Sequence, residues 1–466
     1  MQTPFFVPSI LKTISKELYK RDAQAIIVGG SVRDYYLNLS IKDYDVEVYG
    51  LSTMEELEQI LSSFGSVNLV GKSFGVLKFK YEGDEYDFSF PRTESKTGLG
   101  HKDFDVIVDG SLNYHVAFKR RDFTINAMAY HVEKEQFIDP FNGLDDLKNK
   151  TLKHIDDKTF VEDPLRVYRA VQFCARFDFS LADKTFDLCK KMVANKELDS
   201  LAKERVYEEF KKLLLKSPQP SLGFELMRKL GILNYFPELQ AIIGIRQSPK
   251  WHPEGDVWVH TMMSLDVMVS LLGEDKKDNL VLMFATLCHD LGKATTTTID
   301  EDGNIRAIGH ESASLSLSES FLNRLTNESE LVERILPLVE HHLKPSQFFS
   351  AKSKDKAIRR LATKVNIKEL ITLAKADFLG RTTDEAKLGV YHAGEWLHDK
   401  SQKLNVEIKP LENLLQGKDL IKLGFKPSPL FKKILDDVYD LQLSGSIRTH
   451  KDAISYVKIS NYKNSP

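Results

Sequence analysis

The stretch AIIVGGSVRDYYLNLSIKDYDVEVYG, residues 25–50, decides how this chain is read. Residues 25–28 form a short apolar run rich in β-branched side chains and stopped by Gly29-Gly30. That is the pattern of a buried strand ending in a tight turn. Ser31 is a candidate N-cap for a short helix over residues 32–39. Asp43-Tyr44-Asp45 then leads into an alternating run, residues 46–49, which reads as a second strand. Strand residues two apart share a side, so Asp43 and Asp45 are expected to project together, beside a glycine turn and the amides of a helix N-terminus. Converging carboxylates suit Mg²⁺, which carboxylates and substrate phosphates hold jointly, and turn amides suit the phosphates. An isolated DxD is more often ordinary solvated loop chemistry. GGSVRD just upstream tips the balance here.

Working outward, residues 9–20 carry the spacing of an amphipathic helix, and residues 54–64 that of another. Residues 76–80 and 86–90 alternate as two strands joined by a turn at Gly83. Asp87 on the second is either a third site carboxylate or a plain surface residue, and the pattern weighs the two equally. Residues 91–110 have no hydrophobic period and read as a mobile loop. KRRDFTINA, residues 119–127, reads as a helix with Arg120 and Arg121 at its start. Cations are disfavoured at a helix N-terminus, so these need an anionic partner such as a triphosphate. From Phe160 to about Leu233 the chain reads as helical, opening with VEDPLRVYRA, residues 161–170. Pro164 suits a first helical turn. Asp163, Arg166 and Arg169 are spaced three apart on one face, a salt-bridged surface or a site.

The second half carries scattered histidines and acids. His260 lies in a helical pattern over 257–269, and His289-Asp290 ends an apolar helix just before Leu291-Gly292-Lys293. His310 and Glu311 follow a hairpin-like segment, and His341-His342 and Asp377 come later. One such histidine would read as structural; the ordered set H…HD…D does not.

The 466 residues suggest three or four domains, and 42% hydrophobic with 28% charged residues is a globular composition. A net charge of −2 means that any nucleic acid is held by a local basic surface. Lys190, Lys191, Lys203, Lys211, Lys212 and Lys216 are candidates for one, against the plainer reading of a solvated helix face. Cys174, Cys189 and Cys288 lack metal-binding spacing and read as buried thiols. With no signal-peptide layout and no apolar run of spanning length, the expectation is a cytoplasmic protein with no membrane partner.

GGSVRD, DYD, RRDFTINA and EDPLRVYRA, in this order and at these separations, resemble the bacterial CCA-adding tRNA nucleotidyltransferases. That class includes the bacterial poly(A) polymerases and lies within the polymerase-β-like superfamily. The likeness covers the first half closely. It departs at Gln172, where many members have arginine. H…HD…D with HDLGK intact resembles HD-superfamily phosphohydrolases, a domain that one bacterial branch of the same family carries.

The resemblance implies an α+β fold. A polymerase-β-like head (1–145) would precede an all-α neck (146–245), an HD domain (246–385) and a C-terminal helical, tRNA-contacting region (386–466). It implies that Asp43 and Asp45 hold Mg²⁺, with Asp87 as a further catalytic carboxylate. Gly30, Arg33, Arg121 and Asp122 would bind the incoming nucleotide, and Asp163 and Arg166, with Arg169 alongside, would read its base. Cytosine and adenine both offer an exocyclic amine beside a ring-nitrogen acceptor, which a carboxylate beside a guanidinium complements. Uracil and guanine would leave buried groups unpaired, at about 1–3 kcal/mol each.

In the second half His260, His289, Asp290 and Asp377, with His310 and His341 as further candidates, would hold Ni²⁺, Co²⁺, Mn²⁺ or Fe²⁺. The implied activity there is 2′,3′-cyclic phosphodiesterase or phosphatase, with a purely structural metal as the alternative. The expected partners are tRNA, CTP and ATP, and the expected state is monomer or homodimer. Partial activities (A-only, CC-only or poly(A) addition) and a non-catalytic tRNA-binding role are the alternatives, the last opposed by intact Asp43, Asp45 and Arg121. Other enzymes pairing an HD domain with a nucleotidyltransferase lack RRDFTINA followed by EDPLR.

Overall fold

β1 (Gln24–Val28) is the axis of the first half: four of its five residues are buried, as its apolar run requires. The computed structural model describes residues 5–41, 43–70, 75–96, 104–108, 110, 112–460 and 462. Its chain forms two compact units, Met1–Ser217 with Leu222–Ile232, and Pro218–Ser221 with Leu233–Pro466.

In the first unit β1 pairs antiparallel with β2 (Tyr44–Tyr49). β3 (Ser66–Val70), β4 (Val76–Tyr81) and β5 (Asp84–Ser89) follow, then a separate antiparallel pair, β6 (Arg92–Lys96) and β7 (Phe104–Val108). β8 (Ala129–His131) and β9 (Gln136–Ile138) complete a seven-stranded sheet of order β3-β4-β5-β2-β1-β8-β9. Among the described pairings within this sheet only β2–β5 is parallel. The expected loop over 91–110 is therefore partly sheet. The β-branched residues of β7 favour a ladder despite polar flanks; residues 97–103, 109 and 111 lie outside the described ones.

Two helix starts differ from the sequence reading. The helix Gly30–Tyr36 begins at Gly29 instead of Ser31, whose hydroxyl turns back to the Val28 carbonyl at 3.4 Å. Arg120 and Arg121 do not open a helix. They follow Tyr114–Lys119, of which Arg120 is the C-cap, and Thr124–Asn126 is a single 3₁₀ turn. Asn113 fixes that helix by accepting from the Val116 amide at 2.9 Å. The arginines thus stand where the helix dipole favours cations. Beyond the sheet the helices Leu165–Phe177, Asp183–Ala194 and Lys203–Lys216 bury Cys174, Cys189, Phe210 and Leu213.

The second unit is almost entirely helical. At its centre Lys276–Cys288 is buried at every residue from Asn279 onward, the mark of a helix with no solvent face. Val257–Val269, Ser329–His341 and Ile367–Leu379 pack directly on it, and His310–Leu325 packs beside them. Trp258, Phe284, Phe321 and Leu373 fill the core, each side chain contributing roughly 1.5–3 kcal/mol of apolar burial. A short hairpin, Thr297–Ile299 with Ile305–Ala307, lies between helices. The C-terminal helices Gly417–Lys422, Pro429–Ser444 and His450–Ile459 share a small core around Leu420, Ile434, Val438 and Val457. The cysteines are free and buried, and among the described residues no helix is long and apolar enough to cross a membrane.

Candidate functional site

Strand register builds the first site. Asp45 stands opposite Val28 on β1 and level with Asp87 on β5, so the two acids sit side by side on one face of the sheet. Asp43, exposed, precedes β2 by one residue. Desolvation, followed by the like charges of Asp87, Asp43 and Glu47, raises the Asp45 carboxyl, with Arg121 opposing. Asp43 and Asp87 thus stand near enough to Asp45 to share a cation with it.

Sequence reasoning missed Glu47, although Asp43, Asp45 and Glu47 follow the same alternation. It is fully buried and accepts from Arg121 Nη2 at 2.9 Å, Arg120 Nη2 at 3.2 Å and the Tyr49 hydroxyl at 3.0 Å. The anion that the arginines were expected to need is thus supplied from within the sheet. Backbone conformation explains the first glycine of the turn, and Arg121 lies against it. A Cβ on Gly29, whose φ is +75°, would meet Arg121 Nη1 at 2.9 Å. Gly30 begins the helix, with Arg33 Nη2 at 3.4 Å from a Cβ placed there.

Arg33 is buried. It holds Asp34 through Nε and Nη2 and Asn126 Oδ1 through Nη1 at 2.6 Å, with its guanidinium 4.9 Å from the Phe177 ring centroid. Asp122 accepts from the Phe123 amide, Asn126 Nδ2 and Arg169 Nε, the last at 2.7 Å. Burial works against its charge, but Arg169 and Asn126 hold the carboxyl below its usual value.

Arg166 donates to the carbonyls of Thr159 and Arg120 at 2.5 and 2.6 Å, while Asp163 accepts from Arg205 Nη2 at 3.0 Å and from the Leu165 amide. The expected neighbouring contacts along the helix face are therefore not made. Asp163 lies before the first helical turn and reaches Lys203–Lys216, and Arg169 turns to Asp122. Arg205, carried by Lys203–Lys216, had no motif to announce it. Gln172 is buried with its Nε2 lacking a partner among the described residues. Of the candidate lysines, Lys211 and Lys212 are paired to Glu208 and Glu209.

The second site is assembled by helix ends in the second unit. Two triads of ligand atoms converge, His260–His289–Asp377 and Asp290–His310–His342, each within 4.8 Å and all buried. Asp290 joins them: Oδ2 lies 3.3 Å from His289 Nε2, and Oδ1 lies 3.3 Å from His310 Nε2. His289, His310 and His342 each place Nδ1 at 2.7 Å from a backbone carbonyl, of Thr286, Ala307 and Val339 respectively. In its neutral form each ring donates through Nδ1 and turns the Nε2 lone pair inward; burial opposes charge on His289, but Asp290 beside it raises that imidazole. The His310 and His342 Nε2 atoms stand 3.3 Å apart, close enough to share a proton or to bind one cation together.

Glu254 orients His260 in the same manner, Oε1 to Nδ1 at 2.8 Å, and also takes His252 Nδ1 at 2.9 Å. His289 Nε2 and Asp290 Oδ1 are buried without hydrogen-bond partners among the described residues, while Asp290 Oδ2 pairs with Lys293 Nζ at 2.7 Å. Such orphaned atoms, in a mixed nitrogen and carboxylate set, fit first-row divalent ions. His342 is pushed down to about 3 by burial and then by His289 and His310, with Asp290 and Asp377 opposing, which favours the neutral form that a metal ligand takes. Burial opposes charge on Asp290 and Asp377, yet His289 and Lys293 around the first, and Arg381 and His260 around the second, hold both carboxyls well below their usual value.

His341 is a correction. It is buried outside the triads, its ring nitrogens without a hydrogen bond among the described residues and the Glu340 carboxylate at 3.7 Å, and the next residue, His342, is the one that joins a triad. Adjacent helical residues differ by about 100°, which a doublet in a sequence does not resolve.

Comparison with known proteins gives three family matches. They are the Poly A polymerase head domain over residues 25–153, the "Probable RNA and SrmB-binding site of polymerase A" over 178–243, and the HD domain over 257–381. A Multifunctional CCA protein of Methylobacillus flagellatus is 37% identical over 365 residues, 76% of this chain and 84% of the relative. Another, of Mannheimia succiniciproducens, is 35% identical over 370 residues, 77% and 84% of the two. The fold is similar to that of the Bacillus stearothermophilus CCA-adding enzyme in complex with CTP, at TM-score 0.65 and 20% identity over the full length of both chains. It is also similar to that of the Thermotoga maritima CCA-adding enzyme complexed with tRNA, at TM-score 0.59 and 20% identity, covering 97% and 96%.

Proposed function

The chain belongs to the multifunctional CCA protein family, and on that premise we propose that it adds or repairs the 3′-terminal CCA of tRNA from CTP and ATP. The observation that carries this reading is the register of Asp45 with Asp87 beside Asp43. Asp43 and Asp45 would hold Mg²⁺, which supplies, when bound, the positive charge that a triphosphate and a deprotonating hydroxyl need. Asp87 completes the anionic wall facing the reacting hydroxyl. The 3′-oxygen of the RNA forms a bond to the α-phosphorus, the bond to the β-phosphate breaks, and pyrophosphate leaves. Gly30, Arg33, Arg121 and Asp122 surround the turn at which the triphosphate enters. Glu47 holds Arg121 in place, and Arg169 does the same for Asp122.

Base selection is assigned to Asp163 and Arg166 at the start of Leu165–Phe177. Both are half-buried, so an incoming base can compete for their hydrogen bonds without opening the core. Their present partners, Arg205 and two backbone carbonyls, stand in for that base. Residues 1–145 act as the catalytic head, 146–245 as the neck, 246–385 as the HD domain and 386–466 as a tRNA-contacting region.

The HD domain is read as a phosphohydrolase acting on 2′,3′-cyclic or terminal phosphates. Its triads would hold two ions of Ni²⁺, Co²⁺, Mn²⁺ or Fe²⁺, which supply Lewis acidity toward the phosphoester. Water forms one bond to phosphorus, one bond to a ribose oxygen breaks, and that oxygen leaves with a proton from the water. Incubation with tRNA lacking its CCA end and each labelled nucleotide tests the polymerase reading. Incorporation of C and then A, stopping there, is the expected result; UTP incorporation at a similar rate would overturn the base-reading assignment.

A further inference from the structure

The cavity over the two triads, about 250 Å³, extends past the ligands to Arg246, Gln247, Trp251 and Arg306. Its cations fall into two ranks. The inner pair is committed, Arg381 Nη2 to Asp377 at 2.9 Å and Lys293 Nζ to Asp290 at 2.7 Å. The outer pair, Arg246 and Arg306, is exposed at the mouth, and Arg306 comes no nearer than 4.0 Å to Asp300 of its own hairpin.

Between the ranks sits Gln247, 7% exposed. Its Oε1 accepts from Lys293 Nζ at 2.7 Å, and an ammonium can only donate, so the other amide atom is the NH₂. That Nε2 is buried with no acceptor among the described residues. A stranded donor beside a metal centre is costly unless a ligand oxygen takes it. Trp251, at the same mouth, is 52% exposed, and Lys250 Nζ lies 4.7 Å from its ring centroid. The indole face is therefore reachable from solvent and already attracts a cation. A purely apolar ligand would leave the Gln247 donor stranded, and free phosphate would leave Trp251 unused.

We infer that these residues form a nucleotide subsite: Gln247 Nε2 donates to an oxygen of the phosphate under attack, Trp251 stacks on the base, and Arg246 and Arg306 attract the polyanion. The inference rests on the phosphohydrolase reading and assigns, within it, the side chains that would hold the base and the phosphate under attack.

Two probes test it, adenosine 2′,3′-cyclic phosphate and glycerol 2-phosphate. In Trp251→Ala the KM for the cyclic nucleotide is expected to rise roughly tenfold with kcat little changed, the loss of one base–aromatic stack. The kcat/KM ratio of cyclic nucleotide to glycerol phosphate falls with it, and Trp251→Phe restores most of both. Equal KM values for wild type and Trp251→Ala would overturn the inference. A second arm does not need turnover. With Zn²⁺ bound, the cyclic nucleotide quenches tryptophan fluorescence of the wild type, glycerol phosphate does not, and Trp251→Phe abolishes the quench. No quench in the wild type, or one that persists in Trp251→Phe, also overturns it. If the wild type hydrolyses neither ester, the phosphohydrolase reading falls while the fluorescence arm still decides the subsite.

Discussion

Asp43, Asp45 and Asp87 meet along one face of a sheet where solvent reaches them, whereas the ligands of the HD centre meet inside a helical core. The first site offers oxygen atoms only and few of them, so a hard cation arriving there keeps positions free for a phosphate-bearing substrate. The second offers imidazoles locked by carbonyls and Glu254, a shell nearly complete before any substrate comes. The difference teaches that register alone can place a pair of acids, whereas a histidine site needs every outer nitrogen anchored.

The sharpest way to break this comparison is to remove one acid. Asp45→Ala is expected to lower nucleotide incorporation on the order of 10³-fold or more while HD hydrolysis stays at the wild-type rate. A parallel fall in hydrolysis would show that the two centres are not independent. The reciprocal change, His289→Ala, should abolish hydrolysis of a 2′,3′-cyclic nucleotide with Ni²⁺ and spare CCA addition, both read in the same preparation.

Next comes the support around each site. Asp122→Asn leaves the Arg169 guanidinium without its charged partner in a buried place, and should cost about 3 kcal/mol of stability in urea unfolding. The sign of its pH dependence follows from the direction of the shift. The folded carboxyl titrates below the unfolded value of about 3.9, so its contribution is full above that value and drains away as pH falls through the folded one. The substituted protein should therefore show a flatter acid limb than the wild type. Smallest of the four, Glu254→Gln should weaken Zn²⁺ binding by about 10–100-fold in calorimetry, because His260 loses the carboxylate that orients it. An unchanged affinity would mean that the helix alone sets the imidazole.

The sequence made much of this visible, unevenly. β1, β2 and the Asp43–Asp45 pair were legible because a strand has a period of two and the turn glycines marked its end. The central HD helices were legible from unbroken apolar runs. Arg120 and Arg121 were read at the wrong end of a helix, since charge near a boundary does not say which side of it the chain is on. Their acid, Glu47, was hidden as one more member of an alternating strand. Arg205 and Gln247 follow no motif, and their roles depend on contacts some 40 residues away along the chain or more. His342 was separable from His341 only by the rotation of the helix end.

The charges lining the HD pocket have a consequence for turnover. Asp290, Asp377 and Glu254 bring three negative charges, of which Lys293 and Arg381 cancel two. Two divalent ions would then enter with a single carboxylate left to offset four positive charges, so the loaded pocket has a standing appetite for an anion. The product phosphate is the natural counter-ion. Electroneutrality, more than shape, would keep it there, which makes departure of phosphate the slow event and inorganic phosphate a competitive inhibitor.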